Sequence, residues 1–300
     1  MRGWPRGLFR SLRDFRPDLV HLHGPEAGSL GAVVARVSGA WRIVYTDHKP
    51  HDTRSLLGRL PRRGAARIPD MNVAISQEVA RSLVEDCRVP PSRVRVILNG
   101  TPVVPPLSLP SGETRRFVYV ANLLEDKGHE VLLQAFAASD PRCSLALIGD
   151  GPLRKRLGAL SRELGIADRV EFHGWLDDPW VEAAGAWAYV HPARVEGGGI
   201  AVMEAMMRGL PVIVTETGGL PDIVTHGDTG IVVAVGDFAA LSRSIQHLAD
   251  DLDEREALAR SARAYAERHL TIDRTVASYL ALYEEVLDAS IPRLREKGRN

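Results

Sequence analysis

The chain of 300 residues is long enough for two domains, and its 45% hydrophobic content suffices for a packed core in each. Its formal net charge of zero argues against nucleic acid as a partner, and no apolar run approaches the roughly 20 residues of a membrane-spanning helix. The only two cysteines, Cys87 and Cys143, are isolated, so we expect no disulfide framework and a cytoplasmic location.

Residues 1–104 carry the pattern of a first α/β domain. An Arg-rich amphipathic stretch over residues 1–17 predicts a helix, and four short apolar runs predict strands at 18–21, 42–46, 71–75 and 94–98. Short, unbroken runs of this kind are typical of strands buried on both faces, which indicates a parallel sheet.

Histidines and aspartates follow the first two predicted strands. They are His21, His23, Asp47, His48, His51 and Asp52. Imidazole and carboxylate groups would suit zinc or iron, but the second half of this group is not compact. We therefore favour histidines that form hydrogen bonds or transfer protons at the edge of a cleft, and we expect no metal.

A basic run surrounds Pro61 in the first domain and comprises Arg54, Arg59, Arg62, Arg63 and Arg67. One interpretation is a solvated loop. The other is a peripheral contact with anionic lipid, or with a lipid-linked diphosphate acceptor, at the inner face of a membrane. The sequence leaves both interpretations open.

The pattern changes over residues 105–113, where prolines without a hydrophobic period predict a linker. From 114 to 270 the order strand, turn, helix repeats, with strands predicted at 117–121, 144–148, 169–173, 187–191, 211–215 and 230–234. This alternation predicts a second parallel sheet, and ligands then bind at the carboxyl ends of its strands. Residues 271–300 form a last helical segment, which we expect to pack back toward the first domain.

The first glycine turn of the second domain follows its first strand, in V-A-N-L-L-E-D-K-G-H-E. Lys127 lies there beside Gly128, where an ammonium group can neutralise a phosphate. A solvated side chain is the usual fate of a lysine, so this residue alone is weak evidence. Its value depends on a second anion-binding feature at the same sheet edge.

Another glycine turn, G-D-G-P-L-R, follows the second strand of this domain. Gly149 and Gly151 begin a dinucleotide-type fingerprint, but Arg154 stands where the third glycine belongs. Glu171 follows at about the distance of a ribose contact, so a nicotinamide-dependent oxidoreductase stays open. A tight turn into a helix that begins at Pro152 explains the same residues.

The most informative segment is R-V-E-G-G-G-I-A-V-M-E-A-M, in which Glu196 and Glu204 lie eight residues apart. Three glycines expose backbone N–H groups at a helix start, where the helix dipole favours a bound phosphate. The two carboxylates repel phosphate but accept hydrogen bonds from hydroxyls. The alternative interpretation is two ordinary surface glutamates. It does not explain the three consecutive glycines, which destabilise a helix start unless another group must approach the backbone closely. The segment therefore predicts a diphosphate flanked by polyols, which describes a nucleotide sugar.

These motifs, together with P-D-L-V-H-L-H-G, T-D-H, V-I-L-N-G-T-P and H-G-D-T-G-I-V-V, resemble glycosyltransferase family 4. The resemblance runs from about Asp18 to Tyr283 and implies the GT-B fold, an α/β architecture of two facing Rossmann-like parallel-sheet domains. It also implies a retaining, metal-independent hexosyltransferase without a cofactor. The implied substrates are a nucleoside-diphosphate sugar and a glycan, lipid-linked or small-molecule acceptor.

The resemblance also implies roles for single residues. Lys127 would contact the donor diphosphate, Glu196 the sugar hydroxyls and Glu204 the ribose. His48 would face the reacting centre from the first domain, so the implied catalytic residues are His48, Lys127 and Glu196. The implied donor-binding residues are Asn122, Lys127, Gly149, Gly151, Glu196, Gly198, Gly199, Ile200 and Glu204. The implied reaction is a front-face attack without a protein nucleophile.

Three positions depart from the family pattern. Asn122 stands where the family usually has an arginine, Gly198 replaces a common phenylalanine, and Asp222 replaces a frequent glutamate. We expect the first two changes to weaken donor binding.

The first domain is shorter than the family pattern, and we expect it to be incomplete. Three interpretations stay open: a true start further upstream, missing elements supplied by a partner or a second subunit, or a remnant that binds nucleotide without catalysis.

Overall fold

The computed structural model describes residues 4–24, 27–49, 64, 66–108 and 115–288. Within them the chain forms two compact units. Unit 1 takes its residues from the chain up to Asn99 and from Asp273 onward, and unit 2 comprises Gly100–Ile272. The division expected from the sequence had its boundary at residue 104 and treated residues 271–300 as a separate segment.

Unit 1 contains a four-stranded parallel sheet in the order β1-β2-β3-β4. Its strands are β1 Leu19–His23, β2 Arg42–Asp47, β3 Met71–Ala74 and β4 Val94–Val96. The helices of this part of the chain are α1 Trp4–Phe15, α2 Ala32–Val37, which a π-helical turn at Ala27–Gly31 precedes, and α3 Gln77–Glu85. The four predicted strands are confirmed, with ends that differ by one or two residues.

Unit 2 contains a six-stranded sheet in the order β10-β9-β8-β5-β6-β7, and every neighbouring pair is parallel. Its strands are β5 Arg115–Val120, β6 Cys143–Ile148, β7 Val170–Gly174, β8 Ala188–His191, β9 Val212–Thr215 and β10 Ile231–Val233. Its helices are α4 His129–Ala137, α5 Arg154–Glu163, α6 Pro179–Glu182, α7 Ile200–Met207, α8 Phe238–Asp250 and α9 Leu252–His269. The last helix, α10 Ile272–Asp288, follows α9. The predicted α/β class with two parallel sheets is confirmed.

Helix α10 packs against the sheet of unit 1. Leu282 and Val286 share a buried cluster with Val44 of β2 and Val73 of β3. Full burial of such a side chain stabilises the folded state by about 1.5–3 kcal/mol relative to leaving it exposed. The helix is therefore an integral part of the core of unit 1.

The strand order of unit 2 reverses at β5. From β5 the chain moves to β6 and β7 on one side and then returns to β8 on the other. The crevice at the carboxyl ends of two such strands is the usual ligand site of a doubly wound sheet. The loops that follow β5 and β8, at residues 121–128 and 192–199, are therefore the expected place of a site.

Buried aromatic side chains hold the centre of this sheet. Phe117 and Tyr119 of β5 and Tyr189 of β8 are fully buried. Phe117 meets Phe136 of α4 edge-on, with ring centroids 5.6 Å apart, a favourable aromatic geometry. The two strands whose ends carry the loops are thus fixed by packing on both faces.

The start of α5 differs from the sequence prediction. Pro152 was predicted as its first residue, but the helix begins at Arg154. The amide of Leu153 donates to the carbonyl of Leu123 at 3.2 Å. This bond ties the segment to the loop after β5, so it continues as a turn for two more residues.

Candidate functional site

The loops after β5 and β8 are held together by close backbone contacts. The amide of Arg194 donates to the carbonyl of Asp126 at 2.7 Å. Gly128 has a φ of 70°, and a Cβ at this position would lie 2.0 Å from the carbonyl oxygen of Pro192. Since only glycine fits there, the contact brings Lys127 next to the segment that precedes α7.

An ion pair joins two of the predicted site residues. The ammonium group of Lys127 donates to Oε2 of Glu196 at 2.8 Å, and the two side chains are 21% and 14% exposed. The other carboxylate oxygen, Oε1, accepts from the amides of Gly197 at 3.1 Å and Gly199 at 3.2 Å. The Glu196 carboxylate therefore accepts hydrogen bonds from N–H groups at the start of α7, where the helix dipole favours a negative charge.

A buried histidine also contacts this carboxylate. Nε2 of His191, the last residue of β8, lies 3.0 Å from Oε2 of Glu196, and Nδ1 lies 3.2 Å from the hydroxyl of Tyr189. His191 is 3% exposed. We call Lys127, His191 and Glu196, with the amides of Gly197 and Gly199, the charged cluster.

The protonation states of the charged cluster follow from burial and hydrogen bonding. Burial raises the pKa of Glu196, but hydrogen bonds from His191 and Lys127, with the charge of Lys127, outweigh burial and hold this pKa well below its usual range. Burial lowers the pKa of His191, although Glu196 opposes the shift. At neutral pH the Glu196 carboxylate is therefore anionic, and burial favours the neutral form of the His191 ring.

Glu204 lies about one turn into α7, as the sequence predicts. Its Oε2 accepts from the indole Nε1 of Trp180 at 3.1 Å, and Trp180 is itself buried in α6. The guanidinium carbon of Arg208 lies 4.6 Å from the Trp180 ring centroid, within cation–π range. Among the described residues, Oε1 of Glu204 has no hydrogen-bond partner. One oxygen is thus held in place while the other is available to a ligand.

The remaining predicted donor residues lie on three loops of this sheet edge. Asn122 is exposed just after β5, and Gly149 and Gly151 follow β6. Gly149 has a φ of 138°, and a Cβ there would lie 2.0 Å from the carbonyl oxygen of Ala121, so this turn also requires glycine. The structure therefore brings the loops after β5 and β6 into contact.

The other three predicted donor residues form the start of α7. Gly198 is buried, Gly199 is the N-cap residue, and Ile200 is the first helical residue with 52% of its surface exposed. The N-cap glycine has no side chain to cap this helix, and its own amide donates to the carboxylate of Glu196.

Glu171, the residue considered as a ribose contact for a nicotinamide cofactor, already contacts two other side chains. Oε2 of Glu171 accepts from the guanidinium of Arg116 at 3.0 Å and lies 3.0 Å from Nε2 of His173. The geometry does not favour this alternative.

Unit 1 carries a second polar group at the carboxyl ends of β1 and β2. We call it the histidine cluster, and its members are His21, His23, Thr46, His48, Tyr279 and Tyr283. Nδ1 of His21 lies 2.6 Å from the hydroxyl of Tyr283, and its Nε2 lies 2.7 Å from Oγ1 of Thr46. His48, the predicted catalytic residue of this domain, has Nε2 3.2 Å from Nδ1 of His23.

Burial keeps two histidines of this second cluster neutral. Burial, followed by the neighbouring histidines, lowers the pKa of His21 to about 4. The pKa of His23 is lowered in the same direction, first by burial and then by His48. At neutral pH these two rings therefore act as hydrogen-bonding groups without charge.

Over the part of the chain that the structure describes, no group of three or more His, Cys, Asp and Glu is arranged to hold a metal ion. His51 and Asp52 lie outside the described residues. Of the predicted basic run only Arg67 is described, and its Nε donates to the carbonyl of Arg88 at 3.1 Å. None of the described helices is both long enough and apolar enough to cross a membrane.

Two parallel sheets in an α/β chain, with a strand-order reversal in the second, are features of the GT-B class of folds. The crystal structure of HepE from Anabaena in complex with UDP matches this protein with a TM-score of 0.85 and 20% sequence identity, over 94% of this chain and 82% of that one. The predicted fold class is confirmed.

The chain belongs to the glycosyl transferases group 1 family, whose model matches residues 108–265. The model named Glycosyltransferase Family 4 matches residues 1–103. The predicted resemblance is thereby confirmed, and the incompleteness of the first domain stays a prediction.

Two bacterial relatives illustrate the range of the family. N-acetyl-alpha-D-glucosaminyl L-malate synthase of Bacillus anthracis is 30% identical over 172 residues, which cover 57% of this chain and 45% of that protein. D-inositol 3-phosphate glycosyltransferase of Thermobispora bispora is 28% identical over 325 aligned positions, which cover 94% of this chain and 74% of that protein. The chain spans less than half the length of several curated relatives that it matches.

Sequence reasoning missed His191 and Trp180, which hold the two predicted glutamates. A detectable signal existed for each. His191 is a polar ring at the end of a strand that is otherwise buried, and Trp180 follows Asp178-Pro179, a cap residue and a first-turn proline typical of a helix start. Neither position belongs to a motif, so both required the structure.

Proposed function

We propose that the protein is a glycosyltransferase that moves a hexosyl unit from a nucleoside-diphosphate sugar to an acceptor, with retention of anomeric configuration and without a metal ion. The observation that carries this proposal is the charged cluster at the start of α7, with Glu204 about one turn further along. An ammonium group and helix-start N–H groups suit a diphosphate, and the carboxylates on either side suit hydroxyls. Family membership and the UDP in the HepE complex support the same chemistry.

In the proposed complex, the donor diphosphate replaces Glu196 as the partner of Lys127. The ammonium group and the helix-start N–H groups then neutralise the charge that develops on the leaving group, which is how a site stabilises a transition state electrostatically. Glu196 accepts from sugar hydroxyls, and Oε1 of Glu204 accepts from the ribose. Asn122, Gly149 and Gly151 complete the donor side of the proposed site.

Glu196 is a poor nucleophile in this arrangement. Each of its carboxylate oxygens lies within hydrogen-bond distance of two donor groups, and these contacts depress its pKa. In the proposed complex its oxygens accept from His191 and from the sugar hydroxyls, whereas a double displacement of the glycosidase type needs the carboxylate at the anomeric carbon. We therefore assign Glu196 a positioning role and propose that the acceptor attacks from the front face. His48 is proposed to serve the acceptor side of the reaction.

The test is donor-dependent release of nucleoside diphosphate from a panel of UDP-, GDP- and ADP-sugars. The acceptors in this assay include glycans, lipid-linked sugars, L-malate and D-inositol 3-phosphate. We expect Lys127→Ala to lower turnover about 100-fold, because loss of one preorganised contact to a developing charge costs about 10²–10³. Glu204→Ala removes the ribose contact and should lower kcat/KM mainly through a higher donor KM. The matched controls Lys155→Ala and Glu163→Ala change exposed residues of α5 and should keep wild-type turnover.

A different experimental result would contradict each part of the proposed function. No release and no binding with any donor would contradict the donor class. Thermal stabilisation by a nucleotide without product from any acceptor would show a catalytically silent nucleotide-binding protein. A product of inverted anomeric configuration in the NMR spectrum would contradict retention, and loss of turnover in EDTA would contradict metal independence.

A further inference from the structure

His191 is the one side chain of the charged cluster that a ligand cannot reach. The Lys127 side chain is 21% exposed and Gly197 is partly exposed, whereas His191 is 3% exposed and contacts Glu196 from the end of β8. Any anion that binds in the crevice competes for the exposed donors. It cannot compete for the His191 ring.

The proton on this ring is fixed by its two neighbours. A carboxylate can only accept, so Nε2 of His191 must carry the hydrogen that lies between it and Oε2 of Glu196, 3.0 Å away. A neutral ring then has an acceptor at Nδ1, and the hydroxyl of Tyr189 lies 3.2 Å from it. Tyr189 keeps its proton, because burial raises its pKa well above the ordinary range. The single hydrogen of this hydroxyl is shared between Nδ1 and the carbonyl oxygen of Val120, to which the hydroxyl also donates at 3.2 Å, and this second contact holds Tyr189 to β5.

Donor binding changes which contacts hold Glu196. A bound diphosphate draws the Lys127 ammonium and the helix-start amides away from the carboxylate, as the proposed function requires. The contact from His191 remains. Without it, a carboxylate released by Lys127 would lose its last side-chain donor within a half-buried site, which costs free energy and leaves its direction undefined.

We propose that His191 is a positioning residue, which acts through Glu196 by holding Oε2 while Lys127 and the helix-start amides turn to the donor phosphate. This inference rests on the proposed function. It assigns to the buried Tyr189–His191 pair the task of directing the free oxygen of Glu196 at the sugar hydroxyls. Outer contacts of this kind to ligating groups are commonly worth about 10–100-fold in activity, as in metal sites.

The test uses two amide variants that differ in reach. In His191→Gln the amide nitrogen extends about as far as Nε2, so it can still donate to Glu196. In His191→Asn the side chain is one bond shorter, and its amide cannot reach. We expect His191→Asn to lower kcat with a UDP-, GDP- or ADP-sugar about 10–100-fold. His191→Gln should stay within a few-fold of wild type, which a merely structural role of the ring does not predict.

Binding of the nucleoside diphosphate alone separates positioning from folding. We expect UDP, GDP or ADP, whichever binds the wild type, to bind both variants within about threefold, since Lys127 and the helix start are intact. An equal fall in kcat for both variants, or an unchanged kcat in His191→Asn, would overturn the proposal. So would a loss of nucleoside-diphosphate binding that matches the loss of turnover in a folded His191→Asn protein.

A measurement on the wild type keeps the proposal testable if neither variant folds or if no donor is turned over. Nitrogen-15 NMR of the histidine rings distinguishes the two neutral tautomers. The proposal requires His191 as the neutral tautomer with its hydrogen on Nε2, and a hydrogen on Nδ1 would contradict it. Absence of turnover with this tautomer present would count against the proposed function and leave the His191–Glu196 contact standing.

Discussion

The two units carry polar clusters at the same position of a parallel sheet, and the clusters differ in charge. Both follow the carboxyl ends of neighbouring strands. In unit 2, Lys127 and Glu196 form an ion pair at the start of a helix. In unit 1, His21 bonds to neutral hydroxyl groups of Thr46 and Tyr283.

The difference lies in what each sheet has beside its strand ends. Unit 2 supplies a helix start, α7, whose N–H groups favour an anion, and a lysine held in place by a close turn. Unit 1 supplies α10, whose tyrosines offer hydroxyl groups, and its burial keeps His21 uncharged. The same topology thus sets the place of a site, and the local elements set its chemistry.

The largest effect is expected from a substitution that removes the negative charge of Glu196 in unit 2. Glu196→Gln should lower donor turnover about 100-fold, because a neutral amide has one accepting oxygen and cannot accept from both His191 and the sugar hydroxyls. The matched control is Glu285→Gln in unit 1, which breaks an ion pair with Arg95 of the same 2.8 Å length between exposed side chains. It should leave turnover unchanged, and the comparison would fail if both variants lost activity alike. Initial rates with a saturating donor measure the effect.

A smaller effect is expected from the residue that holds Glu204. Trp180→Phe removes the indole donor and keeps most of the packing, so the ribose contact should weaken. We expect the donor KM to rise about tenfold with kcat little changed, since the lost interaction is the same in ground and transition states. Steady-state kinetics measure both values. Trp41→Phe, at a half-exposed tryptophan of unit 1, is the control; a fall in kcat with an unchanged KM would argue against this role.

Acid should weaken the histidine cluster through His21, and it should act in the same direction on His191 of the charged cluster, because burial lowers the pKa of both rings. The pKa of His21 is about 4 in the folded protein and 6.5 ordinarily, so between these values the unfolded chain binds a proton that the folded chain excludes. Stability should therefore fall as the pH drops from 6.5 toward 4. Glu196, with a depressed pKa, keeps its contribution above the ordinary value of 4.5 and loses it only below.

Melting curves at pH 7 and pH 5 measure this difference. His21→Gln should show a smaller drop in Tm over this interval than the wild type, because it lacks the titrating ring. Glu196→Gln should show the wild-type drop. A drop that is unchanged in His21→Gln would mean that other groups dominate the acid response.

The smallest expected effect is a loss of stability without loss of binding. Tyr283→Phe removes a hydrogen bond of 2.6 Å to His21 and should cost about 1 kcal/mol, or about 2–4 °C in Tm. Tyr265→Phe, which removes a longer contact of 3.4 Å in unit 2, should cost less. Thermal unfolding measures both. Nucleoside-diphosphate affinity that changed in Tyr283→Phe would contradict a stabilising role for the histidine cluster.

The sequence was most informative where local patterns decide the structure. Short buried runs predicted the ten strands found among the described residues, and the parallel order predicted that the residues near Lys127 and Glu196 share one sheet edge. The start of α5 was wrong, because a long-range bond between Leu153 and Leu123 decides it. Long-range hydrogen bonds of this kind produce no recognisable pattern in the local sequence.

The direct pairing of Lys127 with Glu196 could not be predicted. The motif assigns them to different parts of a donor, and their contact depends on the close approach of Gly128 to Pro192. The roles of His191 and Trp180 were not predicted for a related reason. Each contacts a motif residue from an element outside the motif. Sequence patterns locate the groups, and tertiary packing decides which of them touch.

The most direct test of the central claim is a calorimetric titration of UDP, GDP and ADP into three proteins: the wild type, Lys127→Ala and Lys155→Ala. If the charged cluster is a diphosphate site, at least one nucleotide binds the wild type and Lys155→Ala equally, and Lys127→Ala binds it at least about tenfold more weakly. Equal affinity in all three proteins, or no binding to the wild type, would contradict the account.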